Sequence, residues 1–472
     1  MNINLRLTGK QHKQLKSHLF PGDNKEAVAI ALCGRLNGKK LHCLLVREII
    51  SIPYHLCQTR EIDQIKWSTQ TIIPVIEEAA KKKMAILKIH SHPGGLSKFS
   101  ITDDKSDRDL FSSIYGWMND ELPHASVIML PDGYMFGRCV DADDNFIPLS
   151  VITVAGESIH RWYCNHTSKE LPEFTCRHAQ IFGKGTIEIL RNLAVAVVGC
   201  SGIGSLVIEQ LARLGVGRLV IIDPDYVEEK NLNRILNTTM EDALNKSFKT
   251  EVIARAIHKM GIGTEIVTFP TSLFDREAVK AVTECDIVFG CMDSIDGRYL
   301  LNRLATFYSI PYIDVGVKLE ADGSGGIDHI SGAVHYLQPD GSSLLSRKVY
   351  TIEQVRAAGL KRTNSAFYRD LLESKYIIGV NEDRPAVMSV NMFFASRALI
   401  ELLARLHPYR DDNNDNFAIY RYSLTGEYSH IESDGEGCPV LSRHVGSGDI
   451  TPLLEMPELS GEKSLYEMAK EN

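Results

Sequence analysis

Two histidines and an aspartate at a fixed spacing stand in the first third of the chain. The pattern reads His90-x-His92-x(7)-Ser100-x(2)-Asp103, and the two histidines end an apolar run. Side chains of a strand alternate between faces, so His90 and His92 share one face. Two imidazoles and a carboxylate form the ligand set of a catalytic zinc ion whose fourth position stays open. The alternative is that both histidines are ordinary polar residues and that Asp103 caps the next helix.

A glycine-rich turn between two apolar runs indicates a nucleotide site later in the chain. The turn reads Gly199-Cys200-Ser201-Gly202-Ile203-Gly204, and it is followed by a helical pattern and by the apolar run Leu219–Ile222. Backbone N–H groups of such a turn and the N-terminus of the next helix bind phosphate. Asp223 stands where a ribose-binding acid is expected. The serine in the middle glycine position leaves both a dinucleotide and ATP open.

The four charged residues and one asparagine that follow the turn argue against the dinucleotide, because hydride transfer has no need of this set. They are Asp225, Asn231, Arg234, Lys249 and Asp293. Individually, Asp225 could cap a turn, Lys249 could be a solvated helix charge and Arg234 could pair with an acid.

Composition limits the classes of protein to which the chain can belong. With 472 residues, two domains are expected. The net charge of −8 argues against a nucleic-acid partner, and no apolar run is long enough for a membrane span. Ten cysteines without a Cys-x-x-Cys pair indicate free thiols in a reducing, cytoplasmic compartment. We therefore expect a soluble cytoplasmic protein.

The elements that must position the histidines form a regular pattern of strands and helices. Apolar runs predict a hairpin over 25–46, a helix over 68–83, a strand over 84–92 and a closing hairpin over 126–140. We expect a first domain at 1–150, a connector at 151–175 and a second domain at 176–472.

The histidine pattern resembles the JAMM metalloprotease motif of the JAB/MPN isopeptidases. That family also uses a glutamate at the start of its first strand, where Glu26 stands. The resemblance implies an α+β domain in which His90, His92 and Asp103 hold Zn²⁺. It further implies that Glu26 takes a proton from the activated water and that Ser100 stabilises the oxyanion.

The second half of the chain resembles the adenylation domain of ThiF, MoeB and the ubiquitin-activating enzymes. The resemblance covers roughly Arg177 to Arg410 and implies a Rossmann-like α/β fold with a mostly parallel sheet. It implies that Asp223 binds the ATP ribose, Arg234 and Lys249 neutralise the triphosphate, and Asp293 holds Mg²⁺. The glycine-rich turn, Asp225 and Asn231 would surround the phosphates.

The sequence departs from that family in its cysteines. Many members hold a structural zinc with two Cys-x-x-Cys pairs, but this chain has Ser343 and Ser346 at the first place and Cys438 with Leu441 at the second. We therefore expect that this zinc is absent. No cysteine lies between Asp314 and Asn391, after the strand expected to end at Asp314, where a thioester cysteine is usual. Cys438 is the remaining candidate nucleophile, and its alternative role is that of a relic of the zinc pair.

Together the two resemblances imply a bifunctional enzyme of a ubiquitin-like protein pathway. One domain would process the modifier, and the other would adenylate its C-terminus with ATP and Mg²⁺. We expect a modifier protein, a conjugating enzyme and a second copy of the chain as partners, and analogy suggests antiviral defence as the context. The alternatives are activation of a sulfur carrier with tail processing, a regulatory binding protein without turnover and, most remotely, an NAD oxidoreductase.

Overall fold

The computed structural model describes residues 2–118, 120–164, 170–373 and 385–459, without the side chains of residues 370, 371 and 373. The chain divides into two compact units. The first comprises Met1–Ser168, Phe307–Ser309 and His444–Ile450, and the second comprises the remainder.

The described residues of the first unit form a nine-stranded mixed sheet, a separate pair of strands and three α-helices. Its strands are β1 (Asn2–Thr8), β2 (Val28–Asn37), β3 (Leu41–Ser51), β4 (Cys57–Arg60), β5 (Ile65–Trp67), β6 (Ala85–Ser91), β7 (His124–Met129), β8 (Met135–Val140), β9 (Phe146–Pro148), β10 (Val151–Ala155) and β11 (Ile159–Tyr163). Its helices are α1 (Gly9–Leu19), α2 (Ile73–Lys82) and α3 (Ile101–Tyr115). The sheet order is β11-β10-β1-β3-β2-β6-β7-β8-β9, and β4 and β5 form a separate two-stranded sheet.

Alternation along β2 explains why helices cover both faces of this sheet. Ala29, Ala31 and Cys33 join the apolar cluster that includes Leu15 and Leu19 of α1. The residues between them belong to a second cluster, which contains apolar residues of α2 and α3. A strand buried on both faces reads as a continuous apolar run, as β2 does. The predicted hairpins, helix and strand are confirmed, with β2 antiparallel to β3 and β7 antiparallel to β8.

The boundary of the first unit differs from the predicted connector over 151–175. Strand β10 pairs in parallel with β1, and β11 pairs antiparallel with β10, so residues 151–163 extend the first sheet. The run Val151–Ala155 is fully buried. Burial on both faces removes the polar alternation of a half-exposed strand, which is why sequence periodicity missed this element.

The second unit contains an eight-stranded sheet and nine described helices. Its strands are β12 (Ala194–Val198), β13 (Arg218–Ile222), β14 (Glu265–Phe269), β15 (Ile287–Gly290), β16 (Tyr312–Ala321), β17 (Ile327–Leu337), β18 (Ile419–Ser423) and β19 (Tyr428–Glu432). Its helices are α4 (Cys176–Arg191), α5 (Gly202–Leu214), α6 (Met240–Leu244), α7 (Lys249–Met260), α8 (Arg276–Thr283), α9 (Ile295–Phe307), α10 (Ile352–Thr363), α11 (Ser365–Glu373) and α12 (Met388–Leu406).

The second sheet is mixed, with a parallel half that carries the glycine-rich turn. Its order is β14-β13-β12-β15-β16-β17-β18-β19. The first five strands of this order, β14, β13, β12, β15 and β16, pair in parallel. The remaining pairs are antiparallel. The strand expected to end at Asp314 continues to Ala321, because β17 pairs with it along its length. The α/β fold is confirmed, and the sheet is less parallel than the sequence predicted.

Candidate functional site

His90, His92 and Asp103 converge in the first unit as the histidine spacing predicted. His90 lies near the end of β6, His92 directly follows that strand, and Asp103 comes from the first turn of α3. Asp103 Oδ1 lies 3.0 Å from His90 Nε2, and Asp103 Oδ2 lies 3.4 Å from His92 Nε2. One ligand atom from each residue lies within 4.8 Å of the others. Bonds of about 2.0 Å in tetrahedral geometry separate ligand atoms by about 3.3 Å, so these distances fit zinc.

The hydrogen bonds around the three residues leave metal-binding atoms available. His92 Nδ1 lies 2.7 Å from the carbonyl oxygen of Leu96, which directs Nε2 toward Asp103. Neither ring nitrogen of the buried His90 has a hydrogen bond of acceptable geometry with the described residues. Burial lowers the pKa of His90, which favours the neutral form that binds metals. Within the described ranges, these three residues are the one cluster suited to an ion.

Glu26 and Ser100, the two other residues predicted for this site, make different kinds of contact. Glu26 is 5% exposed just before β2, and burial raises its pKa to about 7. A carboxyl group with that pKa can both accept and return a proton near neutral pH. Ser100 Oγ donates a hydrogen bond of 2.7 Å to Asp103 Oδ2 and caps α3. Asp103 therefore has the predicted capping role as well as a place in the metal cluster.

The glycine-rich turn of the second unit is closely packed around its backbone. Gly199 has φ of +94°, and a side chain there would overlap the carbonyl of Cys291 at the end of β15. A side chain on Gly204 would overlap the carbonyl oxygen of Gly199. Helix α5 begins at Gly202, and its N-cap Ser201 makes no side-chain capping bond to the described residues. The first N–H groups of α5 are therefore suited to donate hydrogen bonds to a phosphate group.

Asp223 connects the second strand of this unit to the turn. Its Oδ2 accepts a hydrogen bond of 2.7 Å from the N–H of Cys200, and its Oδ1 accepts one of 2.9 Å from the N–H of Asp225. Burial raises the pKa of Asp223, and the charge of Lys249 opposes that effect. Lys249 is 5% exposed and lies 2.6 Å from Asp225 Oδ2. The alternative that Lys249 is a solvated helix charge is therefore wrong.

Arg234 and Asn391 lie beside Gly202. A Cβ placed on Gly202 would lie 3.4 Å from Arg234 Cδ and would overlap the amide of Asn391. Arg234 Nη1 donates to the carbonyl oxygen of Lys230 at 2.6 Å. Asn391 was not among the site residues predicted from the sequence. The contact between Asn391 and Gly202 joins segments far apart in the chain, so only the tertiary structure shows it.

Asn231 and Asp293 have different environments. Asn231 is buried, and its Oδ1 accepts a hydrogen bond of 3.0 Å from the N–H of Glu228, which shapes the segment before Arg234. Asp293 is exposed and lies two positions after Cys291, whose carbonyl packs against Gly199. An exposed carboxylate at the carboxyl end of β15 is a suitable oxygen ligand for Mg²⁺.

Cys438 is enclosed by its surroundings. It is 1% exposed, and its N–H donates to the carbonyl oxygen of Gly341 at 3.0 Å. Ser343 and Ser346, which stand at the other expected zinc position, hydrogen-bond to each other's backbone N–H groups at 3.1 and 2.8 Å. A buried thiol is a poor nucleophile until the surrounding chain opens. The burial of Cys438 therefore favours its interpretation as a relic of the zinc pair over a role as nucleophile.

A buried ion pair at the start of β16 was also missed as a feature of the second unit. Asp314 is fully buried and accepts hydrogen bonds from Arg298 and from the hydroxyl of Tyr312, the latter at 2.6 Å. Burial alone would raise the pKa of Asp314, but the charge of Arg298 holds it below its ordinary value.

No described helix has the length and apolar character needed to cross a membrane.

Comparison with known proteins shows a family match over residues that lie mostly in the second unit. A profile described as "ThiF family" matches residues 175–440. "Adenylyltransferase and sulfurtransferase MOCS3" of Danio rerio is 35% identical over 131 residues, which cover 28% of this chain and 28% of the relative. "Ubiquitin-like modifier-activating enzyme 5" of Drosophila ananassae is 27% identical over 256 residues, which cover 48% of this chain and 60% of the relative. The chain thus spans less than two thirds of either relative.

Solved structures of one bacterial protein also align with the chain. The structure titled "Crystal structure of E. coli MccB + ATP" has 20% sequence identity and a TM-score of 0.44, and the alignment covers 58% of this chain and 74% of that chain. The structure titled "Crystal structure of E. coli MccB + MccA-N7isoASN" has 21% identity and a TM-score of 0.45, with coverage of 58% and 75%.

Proposed function

Because this chain belongs to the ThiF family, we propose that its second unit is an adenylyltransferase that uses ATP and Mg²⁺ to activate the C-terminal carboxylate of a small modifier protein. The family match spans residues 175–440, more than half of the 472 residues. The named relatives are an adenylyltransferase and an activating enzyme of ubiquitin-like modifiers. The observation that carries this proposal is the tie between Asp223 and the glycine-rich turn, with Lys249 beside it.

The proposed reaction is attack of the carboxylate on the α-phosphate of ATP. A bond forms between a carboxylate oxygen and that phosphorus, and the bond to the pyrophosphate leaving group breaks. Such a transfer depends on positioning and on neutralisation of charge, with no protein nucleophile. Bound Mg²⁺ would supply further neutralisation of the phosphates, and Asp293 is the residue suited to hold it.

The residues around the turn would divide the work of holding ATP. Asp223 would accept hydrogen bonds from the ribose while its other contacts keep the turn closed. Lys249 is paired with Asp225 at 2.6 Å, so a triphosphate would compete with that carboxylate for the ammonium group. Arg234 lies beside Gly202, where it would meet phosphate bound at the N-terminus of α5.

Pyrophosphate exchange into ATP tests this assignment directly. Exchange should require a modifier protein with a free C-terminal carboxylate, because that carboxylate is the attacking group. Asp293→Ala should lower the exchange rate by at least about 100-fold, whereas Asp412→Ala, at an exposed carboxylate, should leave it unchanged. Undiminished exchange in Asp293→Ala would contradict the proposed role of that residue.

For the first unit we propose a zinc-dependent isopeptidase that processes the same modifier. The supporting observation is the convergence of His90, His92 and Asp103. The buried Glu26 interacts electrostatically with His92 and Asp103. A zinc ion held by the three residues would supply Lewis-acid activation of water and of the scissile carbonyl. Glu26 would take a proton from the water and deliver it to the leaving amine. Ser100 would act mainly on Asp103, to which its hydroxyl donates.

Metal content and peptide-bond cleavage test the second proposal separately. Purified wild-type protein should carry about one zinc ion per chain by elemental mass spectrometry. His92→Ala should lose both zinc and cleavage of a modifier fusion, whereas Glu26→Gln should keep zinc and lose cleavage. His55→Ala removes an exposed histidine and should change neither property. Cleavage by metal-free protein would exclude the zinc mechanism.

Two further outcomes would refine the adenylation proposal. One relative is named as a sulfurtransferase as well as an adenylyltransferase, so a sulfur carrier is the second candidate substrate. Thiocarboxylate at the carrier C-terminus, detected by mass spectrometry, would identify that pathway. ATP binding without exchange would identify a regulatory protein that has lost turnover. A conjugating enzyme and a homodimer remain part of the proposal, as does a role in antiviral defence.

A further inference from the structure

A cluster of buried charges lies next to the candidate metal residues in the first unit. Asp107 is fully buried, Lys88 is 3% exposed and Arg138 is 8% exposed. Lys88 Nζ donates to Asp107 Oδ1 at 2.8 Å, and Arg138 donates to Asp107 Oδ2 through Nη2 at 2.7 Å and Nε at 3.2 Å. Ser126 Oγ adds a hydrogen bond of 3.1 Å to Oδ1. We call Lys88, Asp107 and Arg138 the buried charge cluster.

The buried charge cluster joins the same two elements as the metal residues, two residues earlier on β6 and one turn later on α3. Lys88 and His90 are two positions apart on β6, so they share one face. Asp103 and Asp107 are four positions apart on α3, so they also share one face. The contact between Lys88 and Asp107 is therefore adjacent to the contact between His90 and Asp103. Both contacts join the same strand to the same helix.

Arg138 of β8 fixes the first turns of α3 from a second direction. It donates to Asp107 and also to Asp104, the residue next to the candidate ligand Asp103. Its guanidinium group lies 3.8 Å from the ring centre of Phe99, just before the N-cap of α3, and 3.6 Å from that of Phe146. The position of the helix start thus depends on this one side chain at several points.

The N-terminal half of α3 has no apolar anchor of its own. The buried residues of this helix are Asp103, Asp107, Leu110, Phe111 and Ile114. The three apolar ones join the core cluster that also contains residues of α2 and β2. Charged residues hold the preceding turns against the sheet, together with the hydroxyl of Ser106, which accepts a hydrogen bond of 3.2 Å from Lys88 Nζ. Since buried ion pairs are costly and apolar replacements are often equally stable, overall stability by itself gives little reason to keep three charges here.

We propose that Lys88, Asp107 and Arg138 are positioning residues for the metal centre. They hold the first two turns of α3 against β6, which keeps the Asp103 carboxylate within binding distance of His90 and His92. This inference rests on the proposed metal centre and adds residues that do not contact the ion. Partners that orient metal ligands typically change affinity by about 10–100-fold when removed.

The decisive experiment measures zinc affinity on the full chain by competition with a chromophoric chelator. Asp107→Asn and Lys88→Met should each weaken zinc binding by about 10–100-fold. The matched control is the exposed pair on α2, in which Lys82 contacts Glu78 at 2.5 Å. Glu78→Gln and Lys82→Met should bind zinc as the wild type does.

Two readouts separate positioning from a purely structural role. Absorption spectra of the Co²⁺-substituted variants should change in intensity and position, because they report ligand geometry. In metal-free protein, hydrogen exchange should become faster for the amides of residues 103–107 and stay unchanged for residues 110–114. Tryptophan fluorescence reports whether the first unit is folded, since all three tryptophans, Trp67, Trp117 and Trp162, lie in it.

The possible results distinguish this inference from the proposed function. If the wild type binds no zinc, the metal centre itself is wrong and the positioning role falls with it. If the wild type binds zinc and both folded variants bind equally well with an unchanged Co²⁺ spectrum, only the positioning role is overturned. Asp107→Asn is nearly isosteric, so it provides a folded variant should Lys88→Met not fold.

Discussion

The carboxylate of Asp223 accepts a hydrogen bond of 2.7 Å from the backbone N–H of Cys200, which ties the end of β13 to the turn that follows β12. Gly199 donates its own N–H to the carbonyl oxygen of Ile222 at 2.9 Å, so the connection is double. The candidate ribose ligand therefore also maintains the shape of the candidate phosphate loop. Substitutions at Asp223 should affect binding and stability together.

Asp223→Ala should weaken ATP binding at least about tenfold and lower the free energy of unfolding by about 1–3 kcal/mol, because two backbone N–H groups lose their acceptor. Isothermal titration calorimetry and urea unfolding followed by circular dichroism measure the two effects. The exposed Asp412 provides the control, since Asp412→Ala should alter neither quantity. Unchanged ATP affinity in Asp223→Ala would remove this residue from the site.

Gly204→Ala should disrupt the turn, because a methyl group would overlap the carbonyl oxygen of Gly199. We expect a loss of about 1–3 kcal/mol in unfolding free energy, as for other overpacked sites, together with loss of ATP binding. Gly185 in α4 is exposed with no atom near its added Cβ. Gly185→Ala should be neutral or stabilising by up to about 1 kcal/mol. Equal effects of the two substitutions would contradict the packing argument.

The first unit should lose stability on mild acidification because of His124. Burial lowers the pKa of His124 to about 3, and its Nδ1 accepts the N–H of Ile86 at 2.9 Å. The unfolded chain binds a proton near pH 6.5 and the folded chain does not, so this contribution to stability is complete above about pH 6.5 and falls as the pH drops toward about 3.

The slope that His124 contributes approaches about 1.4 kcal/mol per pH unit within that window. His124→Asn keeps an acceptor for Ile86 and removes the titration, so its unfolding free energy should depend less steeply on pH. Urea unfolding followed by tryptophan fluorescence between pH 7 and 4 measures the difference. The exposed His55 serves as control, and His55→Asn should follow the wild type. Parallel pH profiles for His124→Asn and wild type would refute this cause.

Removal of metal should destabilise the first unit alone. If zinc binds the folded site, saturation at 100 times the dissociation constant adds about 2.7 kcal/mol to the unfolding free energy. The tryptophan-monitored melting temperature should therefore fall when a chelator is added to the wild type. His90→Ala should melt at the same temperature with and without zinc. A chelator effect of equal size in His90→Ala would place the metal elsewhere.

Cys438→Ala should keep modifier-dependent pyrophosphate exchange within about twofold of the wild type, because the thiol is 1% exposed and adenylation needs no nucleophile. No thiol-labile adduct between this cysteine and the modifier is expected by mass spectrometry. Alkylation should label the exposed Cys164 and Cys176 first. A thiol-labile adduct that disappears in Cys438→Ala would assign the thioester to this residue.

The sequence by itself determined the local chemistry of both units. The histidine spacing put His90 and His92 on one face, because strand alternation is a property of the backbone alone. The glycine-rich turn, the strand before it and the helix after it were likewise readable, since each depends on neighbouring residues.

Only the tertiary structure decided which distant residues share a site. The carboxylate partners of Lys249, the place of Asn391 beside Gly202 and the burial of Cys438 each depend on segments far apart in the chain. The same holds for Lys88, Asp107 and Arg138, whose burial was not predicted from the sequence. Charge patterns show no burial, because burial is set by the packing of other elements. For that reason the sequence indicated the candidate metal ligands, while the fold supplied the residues that hold them in place.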